Sequence, residues 1–247
     1  MRILTVDIGN TAIKYGCFEE GVLRETAALQ TGEQLLTATK RLAPSQAIVS
    51  SVVEPTATWA TALRAVVQGQ ILEFVPATTP LPIHNAYATP QTLGADRLAA
   101  AVGAAWLRPN ADTLILDVGT AIKCDWLEGG RTFRGGSIAP GLRLRFQALH
   151  TFTGRLPLVE MPTNLGAPVP LTGDDTQSAI RSGVLNGAVA EVNGLIDSYR
   201  EQHPNLGVVL AGGDANFFQP RLKGRIFVIP ELVLIGLHRI LVHNVEE

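Results

Sequence analysis

Cysteine is scarce in this chain. Cys17 and Cys124 are the two among 247 residues, and their separation forms no metal-spaced cluster, so a zinc module is not indicated. The five histidines, at 84, 150, 203, 238 and 243, show no ligand spacing either. Met1-Arg2 leads straight into strand-type residues, with no apolar signal region or cleavage site behind it. The expectation is a reducing, cytoplasmic setting. No apolar run reaches the ~20 residues that a membrane helix needs, so no membrane span is expected. Neither sign of charge is in excess: 20 Lys and Arg face 22 Asp and Glu, for a net charge of −2 and a pI near 6.2. No basic stripe stands out, which argues against nucleic acid as the main partner. Charge is sparse at 17%, against 46% hydrophobic residues. Such a chain can bury a substantial core and is not a disordered one. Its length suits one large domain or two small ones.

What is present is a stretch that occurs twice. Residues 3–14 read ILTVDIGNTAIK and residues 114–123 read LILDVGTAIK. Each is an apolar strand, then Asp, one residue, Gly, Thr and an Ala-Ile-Lys tail. Asp7 and Asp117 lie 110 residues apart, so the copies open two successive halves, 1–112 and 113–247. Glycine after an apolar run frees the backbone for a sharp turn. Successive turn N–H groups can cradle phosphate oxygens, and the strand-end Asp can hold a hydrated Mg²⁺. One such turn is ordinary hairpin chemistry. Two, facing each other, would grip a nucleoside triphosphate from both sides. In the first loop the candidates are Asp7, Gly9, Asn10 and Thr11, with Lys14 as a point charge for phosphate. In the second they are Asp117, Gly119 and Thr120. Lys123 is open between a phosphate contact and a solvated strand residue.

Pattern along the chain predicts strands at 2–7, 12–18 and 22–29, a helix at 31–43, a strand at 47–53, a helix opened by Pro55, and a strand at 71–75. The Pro-rich segment 76–91 reads as loop, and an Ala-rich helix follows from about 92 to 107. The second half repeats the order: strands at 114–118, 121–127 and 131–135, a helix at 141–151, an irregular 155–173, a long helix at 175–202, strands at 207–213 and 225–229, and a terminal helix. In the long helix Leu185, Val189, Val192, Ile196 and Tyr199 form one apolar seam. Each half is thus βββαβα-like, and a cleft between halves is a natural ligand site. By analogy the order matches the fold of actin, sugar kinases and heat-shock ATPases, a duplicated ribonuclease H-like α/β fold with two βββαβαβα halves around an ATP cleft.

Between the loops lies a second constellation: Tyr87, Pro90, then Leu93-Gly94-Ala95-Asp96-Arg97 at the start of the Ala-rich helix. Asp96 falls in the first turn, where the helix dipole stabilises a carboxylate. Phosphoryl transfer tolerates a weak base, because orienting the acceptor hydroxyl matters more than early deprotonation. Arg97 offers a planar fork for a carboxylate. The plainer reading is an exposed Asp–Arg helix start. Gly212-Gly213 ends a buried strand, either to let an adenine approach or simply to turn the chain. Thr176 opens the long helix and reads by default as its cap. Gly183-x-x-x-Gly187 would permit close helix–helix approach, within the chain or across a dimer.

DIGNT, Tyr87-x-x-Pro90-x-x-x-Gly94-Ala95-Asp96-Arg97, DVGTA, GGSIAPG at 135–141, Thr176-x-x-Ala179-Ile180-x-x-Gly183 and PELVLIGL at 230–237 occur in that order. The ordered set, covering nearly the whole chain, resembles the type III pantothenate kinases. The resemblance implies transfer of the γ-phosphoryl group of ATP to the primary hydroxyl of pantothenate, the first step of coenzyme A synthesis. It implies an ATP loop at Asp7, Ile8, Gly9, Asn10, Thr11, Ala12, Ile13 and Lys14, with Thr120 as a second ATP contact. It makes Asp96 the proton acceptor and Tyr87, Gly94, Ala95, Asp96, Arg97 and Thr176 pantothenate contacts. Its cofactors are Mg²⁺ with ATP and a monovalent cation, K⁺ or NH₄⁺, held at Asp117. It also implies a homodimer that shares the long helix, a role the Leu185–Tyr199 seam suits. The chain departs from the family pattern in having GTAIKC where many members have GTATT, and Asp175 where Asn commonly precedes the Thr. Two other readings are a non-catalytic ATP-binding accessory protein and a sugar kinase of the same superfold. Asp96 with Arg97 discriminates against the first, and the apolar helix after Asp96 against the second.

Overall fold

A computed structural model describes residues 1–245. Strands β1 (Arg2–Ile8), β2 (Ile13–Glu19) and β3 (Val22–Leu29), helix α1 (Gly32–Leu42), β4 (Gln46–Ser51), α2 (Thr56–Arg64) and β5 (Ile71–Glu73) come first. A two-residue strand β6 (His84–Asn85) and helix α3 (Ala95–Leu107) follow. Then come β7 (Thr113–Val118), β8 (Ala121–Glu128), β9 (Thr132–Pro140), α4 (Leu142–Thr151), α5 (Thr176–Gln202), β10 (Gly207–Ala211), α6 (Ala215–Phe218), β11 (Ile226–Val228) and α7 (Leu232–Val245). Among the described residues no helix is long and apolar enough to cross a membrane.

Contacts group the chain into two compact units. The first comprises 1–111, 127–135 and the segment from Glu231; the second comprises 112–126 and 136–230. The first carries a sheet in the order β3-β2-β1-β4-β5. Strand β1 pairs antiparallel with β2 and parallel with β4. It reads RILTVDI and is buried from Ile3 to Ile8, as a central strand covered on both faces must be. At the edge, β3 alternates in exposure residue by residue. Helix α1 starts where Thr31 and Gln34 form a reciprocal capping box. Helix α3 is made almost wholly of buried small residues, and α7 lies against it. The approach is close enough that a Cβ on Gly236 would collide with the Ala99 carbonyl. Leu234, Leu237 and Leu241 of α7 are buried, as their spacing predicts.

The second unit's strands run β9-β8-β7-β10-β11, the same sequence of neighbours as in the first sheet. This repetition is the duplicated α/β fold in its simplest form. Leu114, Leu116, Val208 and Leu210 from the sheet share one core with Leu185, Val192 and Ile196 of α5 and with Phe146 of α4. The α5 seam is therefore spent inside its own unit. Leu185, Val192 and Ile196 expose no surface, and they cannot reach a second chain.

Several boundaries differ from the sequence pattern. Strand β9 continues through Gly135-Gly136 to Pro140, because both glycines lie in tight strand surroundings rather than in a turn. Gly136 sits against the Cys124 carbonyl. Helix α3 begins at Ala95, after a 3₁₀ turn over Pro90–Thr92, since proline and the residue before it resist a continuous α-helix. Strand β4 stops at Ser51, which leaves Val52 and Val53 exposed.

Candidate functional site

Asp7 is the last polar side chain of β1 and is only 8% exposed. The parallel register sets it beside Ser50 on β4, and the Ser50 hydroxyl donates to Asp7 Oδ1 at 3.1 Å. A buried carboxylate needs such a donor. Ser50 carries no signal in the sequence, because the bond arises from strand pairing. Beyond Asp7 and Ile8 the chain turns, with the Gly9 N–H bonded to the Ala12 carbonyl at 3.1 Å. Gly9, Asn10, Thr11 and Ala12 form that turn, and Asn10 and Thr11 are open to solvent. Ile13 returns into the core, and antiparallel register sets Lys14 across from Asp7. The first loop thus exposes backbone and short polar side chains beside a fixed carboxylate and a lysine.

In the same unit Gly94 is the N-cap of α3, and Ala95 and Asp96 open its first turn. The Asp96 carboxylate accepts the Arg97 N–H at 2.9 Å. Arg97 is not the exposed helix-start residue of the plainer reading, being only 5% exposed. Its guanidinium carbon stands 5.4 Å from the Tyr87 ring centre and 5.9 Å from that of Phe133. Tyr87 in turn leans on Gly135, where a Cβ would come within 2.9 Å of the ring, and Gly135 has φ of +90°. Glycine is therefore required there both by space and by backbone. Tyr87, Gly94, Ala95, Asp96 and Arg97 come together as one cluster. Phe133 joins it, unanticipated from sequence because it arrives on β9.

The second loop is built differently. Asp117 stands next to last in β7, the Gly119 N–H bonds the Ala121 carbonyl at 3.0 Å, and Thr120 is exposed. Gly141 donates its N–H to the Thr120 carbonyl at 3.0 Å. A Cβ there would strike the Gly119 and Thr120 carbonyls, which accounts for the last glycine of GGSIAPG. Lys123 is not solvated: its ammonium lies 2.6 Å from Asp117 Oδ2, and the two side chains are 16% and 19% exposed. At the neighbouring strand end, Gly212 has φ of +97° and a Cβ on it would collide with the Val118 carbonyl. Chain geometry alone thus requires Gly212. Gly213, by contrast, has no atom within 4 Å of a Cβ position and offers open backbone. Asp214 follows, buried, with burial raising its carboxyl pKa and the Arg143 charge opposing that rise.

Thr176 stands at the first position of α5, but the cap is Asp175. Its carboxylate accepts the Gln177 and Ser178 N–H groups at 2.7 and 3.0 Å. Those bonds hold the Asp175 pKa below the usual carboxylate range. Aspartate is the stronger capping residue and takes the role expected of threonine. Thr176 instead lines an apolar groove of ≈ 930 Å³ between α4 and α5, with Leu144, Phe152, Ala179, Ile180 and Gly183. Among the described residues no three His, Cys, Asp or Glu side chains cluster as metal ligands.

A buried carboxylate and a half-buried one near strand ends, each beside a phosphate-type turn, with a carboxylate and a buried arginine opening one helix, fit phosphoryl chemistry. Residues 3–198 match the family model described as type III pantothenate kinase. The chain belongs to the type III pantothenate kinase family. A type III pantothenate kinase of Cytophaga hutchinsonii is 43% identical over 242 residues, which span 98% of this chain and 99% of that protein. One from Phocaeicola vulgatus is 38% identical over 245 residues, 98% of each chain. Among solved structures, a Baf family protein from Campylobacter jejuni matches with a TM-score of 0.65 at 19% identity, over 99% of this chain and 100% of that one. A ROK hexokinase from Thermus thermophilus matches with a TM-score of 0.51 at 15% identity, over 96% and 97%. These two likenesses bear on the fold alone. The family membership makes the chain a kinase, a phosphotransferase that uses ATP.

Proposed function

We propose that the chain phosphorylates pantothenate with ATP through the following division of labour. The turn formed by Asp7, Ile8, Gly9, Asn10, Thr11, Ala12, Ile13 and Lys14 takes the triphosphate, its N–H groups and the Lys14 ammonium facing phosphate oxygens. Thr120 gives a second ATP contact. Magnesium bound with the nucleotide would offset the negative charge of the triphosphate. Asp7 is the carboxylate that fits its hydration shell, since Ser50 already fixes one of its oxygens.

Asp96 accepts the proton of pantothenate's primary hydroxyl. The hydroxyl oxygen bonds to the γ-phosphorus, the bond from that phosphorus to the ADP oxygen breaks, and the proton passes to the Asp96 carboxylate. Tyr87, Gly94, Ala95 and Arg97 hold the acceptor, with Arg97 pairing its carboxylate. Thr176 supplies a hydroxyl to the acceptor. The observation that supports the reading most is the buried guanidinium of Arg97 beside the Tyr87 and Phe133 rings, one residue after Asp96.

The homodimer belongs to the same reading, on a different surface from the α5 seam. Gly183, Gly187, Ala190 and Gly194 are exposed along α5, and no atom of this chain lies within 4 Å of a Cβ at Gly183, Gly187 or Gly194. Phe152, 84% exposed, borders the groove beside them. A second copy is the occupant we assign to this small, apolar face. Free Cys17 and Cys124 agree with the cytoplasmic setting we propose. A potassium or ammonium ion at Asp117 fits poorly, because Lys123 already faces that carboxylate, and no step is assigned to one.

Asp96→Asn tests the division of roles. Turnover with pantothenate should fall by about a thousandfold or more, as for loss of an acid–base group plus its orienting role. ATP affinity should stay within about twofold. Loss of ATP binding would show that Asp96 serves the nucleotide and not the acceptor.

A further inference from the structure

Asp7 and Asp117 stand next to last in the central strands of the two sheets, yet their carboxylates are met differently. Parallel register pairs Asp7 with Ser50 on β4, and Ser50 donates to it at 3.1 Å. The same register pairs Asp117 with Ala211 on β10. Alanine has no side-chain donor to give, and the next residue, Gly212, has no side chain. The second loop is also one residue shorter, DVGTAIK against DIGNTAIK. Its turn closes from Gly119 to Ala121 where the first closes from Gly9 to Ala12. The lysine after the turn still comes back opposite the aspartate, and here its ammonium sits 2.6 Å from Asp117 Oδ2.

We propose that the Lys123 ammonium is a built-in monovalent cation at Asp117, taking the place of a dissociable potassium or ammonium ion, so that neither the stability of this unit nor turnover depends on one. A lysine ammonium and a potassium ion carry the same charge and are close in size. The pair is largely withdrawn from water, with side-chain exposures of 16% and 19%. A second cation at the same carboxylate would meet a like charge in a poorly screened setting. A tethered charge, moreover, is held at high effective concentration without any binding from solution. The turnover half of the proposal rests on the kinase reading above. The cation-binding half does not.

The ligand-free protein is melted in potassium, ammonium and choline chlorides at one ionic strength, and thallium(I) is titrated calorimetrically as a potassium probe. The wild-type protein should melt at the same temperature in all three salts and show no saturable thallium binding. Its ATP consumption with pantothenate should agree within about twofold across the salts, since the charge is supplied internally. Lys123→Met strands Asp117 without a counter-charge. That variant should lose about tenfold or more in turnover in choline, recover with potassium or ammonium, and gain a potassium-specific rise in Tm. Lys123→Arg keeps the charge and should remain indifferent to the salt. Saturable thallium binding to wild type with a potassium-dependent Tm overturns the proposal, as does a folded Lys123→Met that ignores potassium. Should Lys123→Met fold in potassium but not in choline, the proposal is supported; should it fold in neither, the wild-type and Lys123→Arg measurements decide. No wild-type turnover in any salt overturns the kinase reading and leaves the melts and titration to judge Lys123.

Discussion

Ser50 donates its hydroxyl to Asp7 Oδ1 at 3.1 Å, inside a sheet where both residues are almost shut off from water. Hydrogen bonds to a charged group are worth about 1.5–3 kcal/mol. Ser50→Ala should therefore raise the KM for MgATP by about tenfold, because the carboxylate loses a bond that orients it toward the phosphates. Pantothenate KM should change little. Steady-state kinetics with each substrate varied in turn is the check, and an unchanged KM for ATP would remove Asp7 from the nucleotide site.

The apolar face formed by α4 and α5 gives a second expectation. Phe152 is the most exposed aromatic ring bordering the groove, and Phe152→Asp would place a carboxylate in the interface we assign to a second copy. Light scattering after gel filtration should show a dimer for wild type and a monomer for the variant. Phe152 is surface-exposed in one chain, so the variant's melting curve should otherwise keep its shape. A wild-type mass of one chain at assay concentration would contradict the assignment.

His238 on α7 stacks on Phe18 of β2, with ring centres 4.2 Å apart and planes 19° off parallel. Burial first, then the Arg239 charge, lowers its pKa to about 4 from 6.5. The folded value lies below the unfolded one, so the unfolded chain binds the extra proton first. Stability is fully present above pH 6.5 and is lost as pH falls toward 4, by on the order of 3 kcal/mol in total. His238→Phe should flatten that slope between pH 6.5 and 4.5. The measurement is urea unfolding at a series of pH values; an equal slope in both proteins would show that other groups carry it.

Strand-and-turn order was legible from the sequence because buried strands write continuous apolar runs and the two Asp-x-Gly turns punctuate them. The site was legible wherever its residues sit on one turn: Asp7 to Lys14, and Gly94 to Arg97. What depends on pairing between strands left no trace. Ser50 and Phe133 reach their partners only through the register of β4 beside β1 and the course of β9. Gly135-Gly136 read as the end of a strand because glycine usually weakens one, whereas here Gly135 makes room for Tyr87 and Gly136 for the Cys124 backbone. The α5 seam was correctly seen as apolar, but its period does not say which neighbour it meets, and it meets its own sheet. Asp175 took the helix cap from Thr176 through competition between adjacent residues, which a single-residue reading does not weigh.

The central claim is that Asp96 and the buried Arg97 serve an acceptor bearing a hydroxyl and a carboxylate. It is tested most directly by following ATP consumption with purified protein, magnesium and pantothenate, beside matched reactions with hexoses and with no acceptor. The account expects turnover that depends on pantothenate, yields one ADP and one phosphorylated pantothenate per ATP, and is not reproduced by hexoses. ATP binding without pantothenate-dependent turnover, or preferential turnover with a hexose, would contradict it.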